Sequence, residues 1–138
     1  MTSTVQRVAQ IFGVVFLIVG LAGFFVPGGT SMRHEMEGAP LLLGLFPVNL
    51  AHNVVHLLFG VWGLVAARTF GASAAYARIA GIAYLALAVL GYFMPEIPGL
   101  MPIGGYDIWL HLVLGIALTV VGFTAREHVH TADRTYVS

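Results

Sequence analysis

Four long apolar runs, each almost free of charge, constrain this chain more than any other feature of its sequence. They cover about 8–26, 46–67, 77–94 and 106–125. A helix needs about 20 mostly apolar residues to cross the hydrocarbon core of a bilayer, and each run is close to that length. The chain is 9% charged, whereas a soluble domain is about 25% charged. The sequence therefore predicts an all-α integral membrane protein, with one four-helix membrane domain over 1–138.

The arginines predict the orientation of these runs. The chain has no lysine, and Arg33 is the one arginine on the side where the second and fourth runs begin. The other arginines flank the opposite ends of the runs: Arg7, Arg68, Arg78, Arg126 and Arg134. By the positive-inside rule, this bias predicts a multi-pass protein of the plasma (inner) membrane with both termini cytoplasmic. It also makes 28–45 an outer-loop insertion and 126–138 a cytoplasmic tail.

The two halves of the sequence resemble each other. An offset of 68 residues places Gly23 on Gly91, and an offset of 55 residues places His56 on His111. Each half then forms one helical hairpin. Because both hairpins would enter the membrane in the same sense, we expect a parallel internal repeat about an axis along the membrane normal. The short connections favour a compact four-helix bundle.

The composition excludes several kinds of chemistry. The absence of cysteine removes disulfides, thiolate metal sites and cysteine nucleophiles. The absence of lysine removes Schiff-base chemistry, and no phosphate-binding glycine motif or zinc-protease motif occurs. Net charge is zero and no basic stripe is present, so nucleic acid is not an expected partner. The expected partner is the lipid bilayer, and a homo-oligomer or a larger membrane complex stays open.

Polar residues gather where the second and fourth runs begin, on the predicted outer side. His52 and His56 are four residues apart and share one helical face, and so do Asp107 and His111. If the two runs face each other, three imidazoles and one carboxylate converge in the outer leaflet. Ionisable groups inside a membrane are costly, and such a cluster is a functional hypothesis by default.

Two ligands suit this cluster. The first is a transition metal (zinc, copper or iron), whose ligands would be His52, His56, Asp107 and His111. Asn49 and Asn53 would then orient the rings from outside the ligand set. The second is a b-type haem held axially by His56 and His111. The repeated glycines Gly60 and Gly115 would leave a gap for the flat ring one turn deeper.

Two further interpretations involve no bound cofactor. The cluster could transfer protons or ions, although no acidic residue on the inner half completes a relay. It could also be interhelical hydrogen bonding, which is common between membrane helices. The sequence offers no nucleophile, so we expect a non-catalytic protein. We expect that its cluster binds a metal or haem. The alternative is that the protein is a structural or accessory membrane subunit without a ligand.

The polar segments also resemble a known family. The segments look similar to those of a family of small bacterial four-helix membrane proteins. This family is described as a domain of unknown function. Its members have His-Asn-x-x-His in the second span and Asp-Asn-x-x-His in the fourth. This chain matches the first motif at His52, Asn53 and His56, and it has Ile108 where the second motif has Asn. The resemblance covers nearly the whole chain. It implies a plasma-membrane protein of this architecture, and it implies no particular activity.

Overall fold

The computed structural model describes residues 2–127. Most of the predicted tail at 126–138, from residue 128 onward, therefore lies outside the described residues. The elements follow one another as a helix, a β-hairpin and two helices, then a second β-hairpin and a last helix. The helices are α1 (Thr4–Phe24), α2 (Leu50–Ala66), α3 (Phe70–Phe93) and α4 (Tyr106–Thr124). The strands are β1 (Leu41–Leu42), β2 (Phe46–Pro47), β3 (Glu96–Ile97) and β4 (Met101–Pro102). The prediction of an all-α protein is confirmed, with two small β-hairpins added before α2 and α4.

Side-chain caps determine where the helices begin. Ser3 accepts a hydrogen bond from the backbone N–H of Gln6, whose side chain bonds back to Ser3, and this capping box starts α1. Thr69 caps α3 by accepting from the backbone N–H of Ala72. As a result, α3 begins at Phe70, well before the predicted start at residue 77. The prediction followed the apolar run, and the cap extends the helix into less apolar sequence.

The predicted second span, at about 46–67, is too long. Phe46 and Pro47 belong to strand β2, and the helix begins only after Asn49, which caps it. The remaining helix has 17 residues. At 1.5 Å per residue this is about 26 Å, which is less than the roughly 30 Å of a typical hydrocarbon core.

Three helices within residues 2–127, namely α1, α3 and α4, are long and apolar enough to cross a membrane, and α2 is the shorter apolar helix. Large apolar side chains cover much of their outward-facing surface. Examples, each at least half exposed, are Ile11, Ile18, Leu58, Ile79, Val113 and Ile116. Such a surface is stable in lipid and not in water. Together the helices indicate a membrane protein.

The helices pack as two antiparallel pairs, α1 with α2 and α3 with α4, and α3 also touches α1 and α2. Glycines allow the closest approaches. A Cβ atom at Gly13 would lie 2.8 Å from the backbone nitrogen of Leu64 in α2. A Cβ atom at Gly81 would lie 2.6 Å from the backbone nitrogen of Thr119 in α4. Small residues therefore set the helix separation, as is usual where lipid supplies no hydrophobic driving force.

The two β-hairpins lie at the end of the bundle where α2 and α4 begin, which we call the hairpin end. Both are antiparallel and have three residues between the paired strands. The pairs are Leu41 with Pro47, Leu42 with Phe46, Glu96 with Pro102 and Ile97 with Met101. The first turn has positive φ at Leu43 and Gly44, and the second at Gly99. Each hairpin leads directly into the helix that carries the polar residues.

Candidate metal centre

The cluster is built at the hairpin end from the first turns of α2 and α4. The side chain of Asn49 accepts a hydrogen bond of 2.8 Å from the backbone N–H of His52, which starts α2 and directs His52 into the bundle. In α4, Asp107 lies in the first turn and His111 one turn further. Their four-residue spacing puts both on one face of α4.

Three side chains of the cluster come together. Nδ1 of His52 lies 3.8 Å from Oδ2 of Asp107. His52, Asp107 and His111 each offer one ligand atom, and these atoms lie within 4.8 Å of one another. Two atoms bound to one ion at about 2.0–2.2 Å can be no more than about 4.4 Å apart. Side-chain movements of a fraction of an ångström would bring all three donors onto one ion.

The three side chains are buried, and one polar atom of each lacks a hydrogen-bond partner among the described residues. His52, Asp107 and His111 are 4%, 2% and 3% exposed. Within residues 2–127, Nδ1 of both histidines and Oδ2 of Asp107 form no hydrogen bond. A buried polar atom without a partner costs about 1–3 kcal/mol, and more when it is charged. Buried donors that converge without partners are chemically suited to bind a cation.

His56 lies beside this group and is not one of the three convergent residues. Its ring centroid is 4.6 Å from that of His52, and its ring stacks on Phe16 at 5.7 Å. The ring of His111 lies against Tyr84 in a comparable way, at 5.0 Å. His56 thus lies next to the three convergent residues, with its ring against Phe16 of α1.

A cavity of about 30 Å³ adjoins the histidines. His52, His56 and His111 line it together with Tyr84, and the other walls are apolar side chains: Val55, Phe59, Ala83, Leu87, Met101 and Ile103. A cavity of this size holds about two water-sized groups. It is much smaller than the roughly 300–1,000 Å³ of pockets that hold drug-sized ligands, and a haem exceeds such ligands in size.

The gap that the sequence suggested for a haem ring is filled. A Cβ atom at Gly60 would lie 2.7 Å from Cγ of Leu17, and one at Gly115 would lie 2.9 Å from Cγ of Leu85. The two glycines thus accommodate leucines of the neighbouring helices. The expectation of free space one turn below His56 is wrong, because helix packing uses that space.

The side chains of Asn49 and Asn53 form hydrogen bonds with backbone carbonyl groups around the cluster. Nδ2 of Asn49 donates to the carbonyl oxygens of Arg33, at 2.9 Å, and Leu100, at 2.8 Å. Nδ2 of Asn53 donates to the carbonyl oxygen of Gly29 at 2.9 Å. Among the described residues, neither amide bonds to an imidazole. Their effect on the rings is therefore indirect: Asn49 ties the start of α2 to the 28–45 segment and to the second hairpin.

The structure also shows contacts that the sequence did not suggest. Oε2 of Glu96 accepts a hydrogen bond of 2.9 Å from the backbone N–H of Met36, so the 28–45 segment crosses to the second hairpin. Phe16 and Tyr84, whose rings lie 5.5 Å apart, pack against the histidines. In the sequence both are ordinary aromatic residues of apolar helices. Only their helix face, which depends on packing, marks them as neighbours of the cluster.

Comparison with known protein families identifies a match. A family model described as a domain of unknown function (DUF4383) matches residues 6–124. No curated protein and no solved structure matches the chain significantly. The match runs from α1 to the last residue of α4 and so includes all four helices, both hairpins and the cluster. By this match, and in agreement with the resemblance noted from its motifs, the chain belongs to the DUF4383 family.

Proposed function

We propose that this protein is an integral membrane protein that binds one divalent transition metal ion through His52, Asp107 and His111. The observation that carries the proposal is the convergence of three buried side chains, each with a polar atom that lacks a hydrogen-bond partner among the described residues. A carboxylate and two imidazoles are expensive to bury in a membrane protein. A metal ion would satisfy all three at once, with the carboxylate balancing part of its charge.

The donor set indicates which metals are suitable. Two imidazoles and one carboxylate are typical of zinc sites and of non-haem iron(II) sites that keep open coordination positions. Thiolate and thioether ligands would favour copper(I), and neither type occurs among the three donors. We therefore propose iron(II) or zinc. His56 contributes to the surroundings of the metal rather than to the primary ligand set.

We further propose that the two helical hairpins form a parallel repeat. Backbone hydrogen bonds support this. The N–H of Val48 donates to the oxygen of Pro40 at 2.8 Å, and the N–H of Ile103 donates to the oxygen of Pro95 at 2.9 Å. The two bonds are related by the offset of 55 residues, as are all paired residues of the two β-hairpins.

Side-chain packing supports the same relation. The stacked pair of Phe16 and His56 corresponds to the pair of Tyr84 and His111 when α1 is shifted by 68 residues and α2 by 55. The close contacts of Gly60 with Leu17 and of Gly115 with Leu85 correspond under the same two offsets. A parallel repeat explains why α2 and α4 bring their polar first turns to one end of the molecule.

We propose that the hairpin end faces outward from the plasma membrane and that both termini are cytoplasmic. The support is the arginine bias: Arg7, Arg68 and Arg78 all lie at the end of the bundle opposite the hairpins, where α1 and α3 begin and α2 ends. Positively charged residues are retained on the cytoplasmic side. The metal would then be bound in the outer leaflet half of the membrane.

Metal content of purified protein tests the proposed function. Protein incubated anaerobically with iron(II), or with zinc, and then freed of excess metal should retain about one ion per chain by elemental analysis. His52→Ala and His111→Ala should lose that ion, because each removes one of three ligands. His34→Ala is the matched control and should retain it, since His34 lies in the 28–45 segment outside the cluster. Equal metal content in all four proteins, or none, would overturn the proposal.

His56→Ala distinguishes the three-residue site from a four-residue one. If the metal is held by His52, Asp107 and His111, then this variant should still bind about one ion per chain. Loss of the ion would make His56 a ligand and would show that binding rearranges the ring away from Phe16.

The alternative function is that of a structural or accessory membrane subunit without a ligand. The specific observation in its favour is the role of Asn49, whose amide joins three chain segments at the hairpin end. On this alternative the cluster is interhelical hydrogen bonding. His52→Ala would then lower the unfolding temperature in detergent, and added metal would not change the stability of the unmodified protein.

A further inference from the structure

We infer that the first β-hairpin, at 41–47, inserts its tip into the lipid leaflet at the hairpin end of the bundle. The hairpin tip consists of Leu43, Gly44 and Leu45, which join strands β1 and β2. This goes beyond the proposed function, because it holds whether or not the cluster binds a metal. It assigns a membrane contact to a segment that hydropathy divides between an outer loop and the second span.

The exposed surface of the hairpin is apolar. Leu43 is 81% exposed, more than any other leucine within residues 2–127, and Leu41 and Leu45 are exposed as well. Hairpin turns in water are usually made of Asn, Asp and Gly, which are polar or small. A turn that presents a leucine on each side of a glycine is suited to lipid rather than to water.

The backbone of Leu43 gives a second, independent reason. Its φ is 55°, and it is the one non-glycine residue with a positive φ in the part of the chain that the structure describes. This left-handed conformation is unfavourable for leucine, whereas Gly or Asn adopts it readily. Leucine is therefore a poor choice at this position both for the turn and for contact with water. Transfer of its side chain into lipid would offset both costs.

The hairpin is continuous with surface that already requires lipid. No charged residue occurs between Glu37 and Arg68, so apolar sequence runs from the hairpin through the whole of α2. With 17 residues, α2 is also short for a typical hydrocarbon core. The hairpin adds apolar surface at the end where α2 begins, and thus extends the region of this helix that contacts lipid.

Exposed aromatic rings indicate the depth of the hairpin. Phe25 follows α1, Tyr92 is near the end of α3, and Tyr106 and Trp109 are in the first turn of α4; all are exposed. Such rings are enriched at the boundary between lipid and water. Strand β2 packs against α4 and so lies close to this level. A deeper position is unfavourable, because the open edges of a two-stranded sheet have unpaired backbone groups.

Site-directed spin labelling in liposomes tests the inference, and the chain has no cysteine of its own to interfere. Oxygen is concentrated in lipid, whereas a nickel–EDDA complex stays in water. The EPR saturation of a nitroxide therefore reports which of the two reagents it meets. A nitroxide on the Leu43→Cys variant should collide more with oxygen than with the nickel complex.

Two matched variants provide the references. Leu58→Cys places the label on the exposed apolar face of α2 and should show the oxygen preference of a lipid-facing position. Glu37→Cys places it on the last charged residue before the hairpin, which is exposed, and should show a preference for nickel. If Leu43→Cys does not fold, Leu45→Cys labels the same hairpin tip in its place.

Two results would overturn the inference. A nickel preference at the hairpin tip, equal to that at residue 37, would place the tip in water. Low collision rates with both reagents would mean that protein covers the tip, and dipolar broadening of the spectrum would identify that protein as a second copy of this chain. Neither result bears on the metal site, which elemental analysis tests separately.

Discussion

The contact between Gly23 and Asn53 shows that a single residue can decide how segments of this protein pack together. Asn53 packs so closely on Gly23 that a Cβ atom there would overlap the amide group. From this position the amide donates to the carbonyl oxygen of Gly29, just beyond α1. One missing methyl group therefore decides whether α1, α2 and the 28–45 segment can meet beside the cluster.

Gly23→Ala should destabilise the protein by about 1–3 kcal/mol, because the added methyl group displaces a buried amide. Gly71→Ala is the control: no atom lies within 4 Å of its added Cβ, so stability should stay equal or rise slightly. The measurement is the unfolding temperature in detergent. In an Asn53→Ala background the cost of Gly23→Ala should become smaller. An unchanged cost there would show that the amide is not the group that clashes.

At the scale of elements, the start of α2 is the most connected position near the site. Asn49 caps the helix and also donates to two carbonyl oxygens, one in the 28–45 segment and one at the tip of the second hairpin. Thr69 has only the capping role, at the start of α3 and the opposite end of the bundle. The Asn49 cap therefore connects α2 to two other segments, whereas the Thr69 cap serves only the start of α3.

Asn49→Ala should lower stability by more than Thr69→Ala. Loss of a cap costs about 0.5–2 kcal/mol in either case, and Asn49→Ala also removes the hydrogen bonds to the carbonyl groups of Arg33 and Leu100. Because His52 lies in the first turn of α2, Asn49→Ala should also weaken metal binding, whereas Thr69→Ala should not. Unfolding temperature and metal titration of both variants check this. Equal effects of the two variants on both quantities would contradict it.

For the whole molecule, packing and charge support the proposed orientation in the membrane. The apolar outer surfaces of the helices require lipid, and the hairpin end gathers the polar cluster. The arginines of the described helices and of the α2–α3 connection lie at the opposite end. In the proposed orientation, the cluster lies near the outer surface of the membrane.

Cysteine labelling tests this orientation, and the chain is suited to it because it has no cysteine of its own. Glu37 and Ala72 are both exposed and lie at opposite ends of the bundle. On intact cells, a membrane-impermeant maleimide should label the Glu37→Cys variant. It should label the Ala72→Cys variant only after permeabilisation. The reverse pattern would place the cluster on the cytoplasmic side.

Much of the fold could be predicted because helix formation and membrane insertion depend on local sequence. Runs of apolar residues predicted four helices close to where the structure has them. The prediction was wrong at the start of α2, where Pro47 belongs to a strand, and at the start of α3, where Thr69 provides a cap. Hydropathy does not respond to either effect, since both depend on hydrogen bonds.

The sequence by itself determined an apolar helical chain in which His52 and His56, and Asp107 and His111, share helix faces, because the 3.6-residue period is a local property. Only the tertiary structure decided which of them meet. The rotation of each helix about its axis depends on contacts between distant residues, such as Gly60 with Leu17 and Gly23 with Asn53. These contacts turn His52 toward α4 and leave His56 against Phe16 at the cavity wall.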